Sequence, residues 1–420
     1  MNKITKYFYP QPVILLPFFI LFILTLLSPI HAFAKTYYYN VTDYGADGSD
    51  RKDDTSAIQK LLDEATEDDT TVIKFPAGTY YISRPLYIQS NTKLQLNSKA
   101  TIRRSSHGLG HNMLKTSDAS HVSTGYPGYT LAHNITITGG TWDGGDISKA
   151  KQTSNLIYIG HSSNITISNT TIKNCYGAHS VEFAGVKNGT IKNCTFYGFR
   201  YDSDRFTSEA IQLDVCYKDR SSGKWTPGYE LDKTACSNIL IENNTIKDYP
   251  RGIGSHHVLK GHYSTDITIR NNKIARSSSS TQGKCMTGIL LMGTNKVSIS
   301  KNTINHYYYG VTIKNSKKLS IKNNKLKYNT SGNLILESCD IKSQKRKFTV
   351  TKDTVGEQEF QYTCPGIKGY VKTDGETYHF GASSKEHTIE LKNKIKRNQK
   401  ITFYGKDTWG NTYYRIYYVS

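Results

Sequence analysis

The sequence predicts an all-β solenoid, a parallel β-helix with one cap helix before it and a small β-sandwich after it. Three observations predict this fold. A short β-branched phrase recurs seven times, a second family of apolar strands lies between its copies, and the composition turns Lys-rich from about Ser343. Charged residues at 21% and hydrophobic residues at 37% exclude a disordered chain. Lys+Arg minus Asp+Glu is 54 − 34 = +20, which suits an anionic partner such as an acidic polysaccharide, a cell wall or nucleic acid.

Residues 1–34 read as a secretory signal. Lys3 and Lys6 precede an apolar run from Val13 to Leu27, and Ala32-Phe33-Ala34 supplies a cleavage site. Removing the two lysines leaves 20 − 2 = +18, and export makes nucleic acid and membrane poor partners for the mature chain. Residues 35–110 form the cap. There Asp53-Asp54-Thr55 starts a helix whose apolar stripe is Ala57, Ile58, Leu61, Leu62 and Ala65, and strands follow at Thr71–Phe75 and Tyr80–Ser83.

The coils occupy residues 111–342. Asn134-Ile135-Thr136-Ile137 is the first phrase and Lys318-Leu319-Ser320-Ile321 the last, with third positions spaced by 30, 24, 50, 28, 30 and 22 residues. Apolar and polar residues alternate in each, as in a half-buried strand. Asn244, Asn272, Asn302 and Asn324 recur at one offset, where stacked amides can bond from coil to coil. The 50-residue gap is one coil carrying an insertion, which a Cys216–Cys236 bridge could close in an oxidising compartment. From 343 to 420, runs such as Ile401–Tyr404 and Thr412–Val419 read as antiparallel strands of the sandwich.

Val41-Thr42-Asp43-Tyr44-Gly45-Ala46-Asp47-Gly48, Asp53-Asp54-Thr55, Phe75-Pro76-Ala77-Gly78-Thr79-Tyr80 and Gly139-Gly140-Thr141-Trp142-Asp143-Gly144 carry a resemblance. Together they resemble the pectate-lyase-like superfamily, whose right-handed parallel β-helix proteins include the polygalacturonase (family 28) glycosidases. The likeness covers roughly residues 37–340 and implies a polysaccharide-active protein. Its members include hydrolases, lyases and epimerases, so it implies no single reaction. The Asn-Thr-Asp, Gly-His-Gly and Arg-Ile-Lys motifs of polygalacturonases are absent here. Asp407-Thr408-Trp409-Gly410-Asn411 is similar to bacterial immunoglobulin-like modules.

The second strand family holds the candidate chemistry. Alternation turns Val181, Phe183, Ile211, Leu213 and Ile253 inward, so Glu182, Gln212 and Gly254 form one outward column and Ala184, Asp214 and His256 the next. Glu182 and Asp214 are then diagonal, about 7–8 Å apart. Inverting glycosidases hold their carboxyls roughly 6.5–9.5 Å apart. Glu182, Asp214 and His256 are therefore the candidate catalytic residues, with Gln212, Arg251, His257, Arg200, Arg205 and Tyr158 expected to contact substrate. His179 and Glu209 are expected to support them from behind. Gly252 and Gly254 are read as clearing room beside His256.

No cofactor is expected. His107, His111 and the group His256, His257 and His262 lack the carboxylate or Cys spacing of a zinc site, so no metal is expected either. The expected partner is an anionic polysaccharide or wall polymer bound by a monomer. Three functions stay open. The first is a secreted glycoside hydrolase with a carboxyl pair. The second is a lyase or epimerase on uronic acids, with His256 or a Tyr as base and Arg251 neutralising the carboxylate. The third is a non-catalytic wall-binding adhesin.

Overall fold

Apolar residues at every second position stack from coil to coil, and that stacking builds the molecule. The computed structural model describes residues 34–106, 110–201, 207–217, 229–255, 257–277, 286–341 and 344–420. The expected signal segment lies outside the described residues apart from Ala34. The phrase strands pair in parallel throughout, with Ile135 on Ile165, Ile167 on Ile191, Ile241 on Ile269, and Val297 on Leu319. Each such rung buries branched side chains against their copies above and below, at about 25 cal/mol per Å² of apolar surface.

The phrase's first residue is a corner. Asn134, Asn164, Asn188 and Asn238 adopt φ of 56°, 57°, 56° and 54°. Asn tolerates this left-handed backbone better than most residues. Their amides form an exposed row, Asn164 donating to Asn134 (3.0 Å), Asn188 to Asn164 and Asn238 to Asn188 (both 2.9 Å). A second row is buried. The Oδ1 atoms of Asn272, Asn302 and Asn324 each accept from the backbone N and Nδ2 of the preceding asparagine at 2.9–3.0 Å. Each Nδ2 also donates to a carbonyl of an earlier coil, as Asn302 does to Ile269 (2.9 Å). The ladder satisfies polar groups inside an apolar stack, which would otherwise cost about 1–3 kcal/mol each.

Strand Val181–Lys192 pairs directly with Ser237–Glu242, Ile191 opposite Ile241. The 50-residue gap is thus one coil with an insertion. The expected disulfide is not formed: Cys216 and Cys236 are buried free thiols. The Cys236 thiol lies 3.2 Å from the Phe183 carbonyl, and burial pushes its pKa up to about 12.

In the cap, the helix runs Thr55–Leu62 and stops before Ala65. Asp54 makes no side-chain cap bond, because its carboxylate accepts from Asp47 N and Tyr81 N, both at 2.8 Å. Asp53 caps instead, accepting from Thr55 N at 3.1 Å. The pair of acids ties the opening loop to the first coil.

The C-terminal region has two layers. A three-stranded sheet, Thr349–Lys352, Glu359–Thr363 and Glu386–Glu390, faces the strands Lys368–Thr373, Glu376–Phe380, Lys400–Lys406 and Thr412–Tyr418. Phe348, Phe360, Tyr362 and Phe403 pack between them. The seam with the solenoid is bridged. Thr412–Tyr414 pairs in parallel with Lys325–Lys327, and Asn411 Oδ1 accepts from Asn324 N and Nδ2 at 3.0 Å. A residue 87 positions downstream therefore supplies the next rung of the asparagine ladder.

Candidate functional site

The second strand family sets two outward columns in the expected register. Tyr158, Glu182, Gln212 and Gly254 are lateral partners, preceded by Lys115 and followed by Leu290. Gly160, Ala184 and Asp214 form the adjoining column. His256, expected next, lies outside the described residues, as does Arg205.

These residues are not solvated. Glu182 is 6% exposed, Asp214 8%, Tyr158 4% and Gln212 0%, although alternation points them away from the solenoid core. Part of the cover comes from the returning limb of the insertion, which packs on Tyr158 and Gly160. Tyr229 stands on Gly160, where a Cβ would lie 2.5 Å from its ring. Its hydroxyl donates to the Tyr158 carbonyl at 2.9 Å, and its ring meets Tyr158 edge-on at 4.7 Å. His161 clamps the limb, with Nδ1 2.6 Å from Gly128 O and Nε2 2.8 Å from Glu230 O. Lys115 Nζ lies 5.4 Å from the Tyr229 ring centroid, and burial lowers its pKa.

Under this roof each carboxylate has its own partners. Asn155 Nδ2 donates to Glu182, and Asn155 Oδ1 accepts from His179 N at 3.0 Å. Tyr158 is held protonated: burial raises its pKa well above the ordinary value, and the Glu182 charge adds to that. Asp214 Oδ1 lies 3.1 Å from His257 Nε2 and accepts from Val215 N at 2.9 Å. His257 Nδ1 is in turn 3.0 Å from the Tyr217 hydroxyl. Within the described residues, the imidazole on Asp214 is therefore His257, which the sequence suggested only as a substrate contact.

Behind this pair lies a buried ionic group. Glu209, fully buried, sits 2.9 Å from Arg251 Nη1 and 3.2 Å from His179 Nδ1. Arg251 Nη1 also donates to Thr207 O at 3.1 Å. Gly254 makes room for Glu209, whose Cγ would be 2.8 Å from an added Cβ, and Gly252 makes room for Ile274. The expectation that both clear room for His256 falls on a residue outside the described ones. Arg200 is not brought to the columns. Its guanidinium stacks 3.8 Å over Tyr176 and donates to Ala150 O. Asn155 and Tyr229 act through loops without a repeat, so no sequence signal would have found them, and Lys115 lies on the short strand Leu114–Thr116 ahead of the first phrase copy.

Residues 38–218 match the family model described as Rhamnogalacturonase A/epimerase, pectate lyase-like. Residues 209–418, half of the chain, match that of Periplasmic copper-binding protein (NosD). Plasmin and fibronectin-binding protein A of Streptococcus pneumoniae (strain ATCC BAA-255 / R6) is 28% identical over 388 residues, 86% of this chain and 50% of the relative. The chain thus spans about half the length of that curated relative. A solved structure of the S. pneumoniae surface protein and adhesin PfbA is 24% identical with a TM-score of 0.55, covering 71% of this chain and 77% of that one. A second PfbA structure is 19% identical with a TM-score of 0.49, covering 82% and 99%. The described residues offer no donor set for copper. Among the described residues no group of three or more His, Cys, Asp or Glu side chains is placed to hold a metal ion.

Proposed function

Since this chain belongs to the pectate-lyase-like β-helix superfamily, with its second half in the NosD family, we propose that it is an extracellular carbohydrate-active protein. It binds an anionic polysaccharide along the roofed columns and cleaves it by glycoside hydrolysis with Glu182 and Asp214. One observation carries this reading: two carboxylates on adjoining coils are both buried yet differently partnered. Buried ionisable clusters are costly to a fold and concentrate at functional sites. An imidazole and an amide N–H favour the Asp214 anion, which suits a base activating water. Glu182, buried and held by an uncharged side-chain amide instead of an imidazole, is assigned the acid's place, where it protonates the leaving oxygen. Positive charge from Lys115 at the head of the column favours an acidic sugar. Tyr158, held protonated, serves as a donor rather than as the base that a lyase or epimerase needs.

A second reading is a non-catalytic surface adhesin. The relative named for binding plasmin and fibronectin favours it, and a surface location agrees with both readings. The test is a panel of acidic glycans incubated with the protein, scoring reducing ends and ultraviolet absorbance. New reducing ends without absorbance, lost in Glu182→Gln and Asp214→Asn, support hydrolysis. Absorbing products point to a lyase, and retention on a glycan or host protein with no product points to the adhesin.

A further inference from the structure

A separate concavity of about 550 Å³ lies where the last coil meets the C-terminal strands, within the size range of small-ligand sites. It is lined by Lys322 from the solenoid, Lys368 and Lys406 from the sandwich, and Trp409. Lys368 and Lys406 are direct antiparallel partners. Like charges placed opposite one another destabilise a sheet, so the pair is kept at a cost. All three lysines are exposed, and none has a carboxylate within 4.0 Å among the described residues.

The acid in the lining does not cancel them. Asp407 is 5% exposed, and its oxygens accept from Trp409 N (2.9 Å), Asn411 N (3.0 Å) and Tyr413 OH (2.6 Å). That carboxylate fixes the loop instead. Gly410, at φ 81°, lies so close to Asn323 Oδ1 that a Cβ would sit at 2.3 Å, and Asn411 is locked in the asparagine ladder. The indole, half-buried against the core, is thus held on a rigid loop that lines the concavity with three ammonium groups lacking a carboxylate partner among the described residues.

We infer that this concavity is a second binding site for a sugar unit carrying an oxyanion, with the ring on the face of Trp409 and the anion among Lys322, Lys368 and Lys406. Aromatic faces bind apolar sugar faces at low entropic cost, and lysine is a compact, rotatable partner for carboxylate, phosphate or sulfate. The site needs an anionic polymer as partner but no cleavage, so it stands apart from the chemistry proposed at Glu182 and Asp214.

The test titrates the full chain with oligogalacturonate, a sugar-phosphate polymer, a sulfated glycan and neutral dextran, following calorimetry and indole fluorescence. At least one of the anionic probes should bind and neutral dextran should not, and the tightest binder identifies the anion. Lys368→Gln/Lys406→Gln should weaken binding by about tenfold or more, whereas the control Lys247→Gln/Lys273→Gln, with the same change in net charge, should not. Trp409→Phe should abolish the fluorescence response. Equal weakening by the control pair, a response that persists in Trp409→Phe, or no binding of any anionic probe overturns the site. Loss of binding in Glu182→Gln, with the lysine pair unaffected, would place the polymer on the roofed columns alone and also overturn it. Binding without cleavage strikes only the hydrolase reading.

Discussion

The same outward column reads in two ways along the solenoid. Between Lys115 and Gln212 it is polar, and Tyr229 of the returning insertion packs on Lys115 and Tyr158 at its head. From two coils later it holds Leu290, Thr312 and Ile335, which line a groove of about 240 Å³ with Arg251 at its edge. Beside it Lys314 and Glu337 form an ordinary surface ion pair at 2.6 Å. Backbone geometry is shared by both stretches. The difference shows that the coil supplies positions, whereas outward side chains and one insertion supply the chemistry.

The largest effect should come from the roofed carboxylates. Glu182→Gln and Asp214→Asn should each lower turnover by about 10²–10⁴-fold, whereas Lys314→Gln on the later coils leaves it unchanged. Because both carboxylates are buried, each change should also cost about 1–3 kcal/mol in melting experiments, more than a bare surface residue would. Full activity in either variant breaks the comparison.

Next comes the ionic group behind them. Arg251→Met leaves the fully buried Glu209 without its guanidinium, with His179 still beside it, and breaking such a pair costs about 3–5 kcal/mol. Glu209→Gln/Arg251→Met should recover part of that loss. Thermal unfolding of the two variants measures it, and a double variant no better than the single one refutes the coupling.

The seam gives a smaller effect. Asn411→Ala removes the last rung of the ladder and should cost about 1–3 kcal/mol. We propose that 35–342 and 343–420 are two modules joined by that rung together with the parallel pairing of Lys325–Lys327 on Thr412–Tyr414. Proteolysis near residue 343 should then yield fragments that stay together, and that part at lower denaturant in Asn411→Ala. Fragments that part in the unaltered protein would mean the seam does not hold them.

The smallest effect is one of pH. Burial lowers the pKa of His306, which stacks on Tyr328 on the later coils. A group with a depressed folded pKa favours folding above its unfolded value, about 6.5, and that stabilisation is lost as pH falls through the folded value. His306→Gln should flatten the decline in stability below pH ~6.5, read by melting at stepped pH.

What the sequence determined by itself was repetition. Isoleucine at every second position specifies which residues stack, because rungs are local copies of one contact, and the buried asparagines mark where consecutive coils bond. The register of Glu182, Gln212 and Asp214 follows from that alternation alone. Tertiary structure decided the rest. Tyr229 covers the site from about 70 residues beyond Tyr158, Asn155 reaches Glu182 from a loop, and Asn411 enters the ladder 87 residues after Asn324. None of these contacts repeats, so no period announces them. Long-range packing turned a row of outward polar residues into a buried, partnered site.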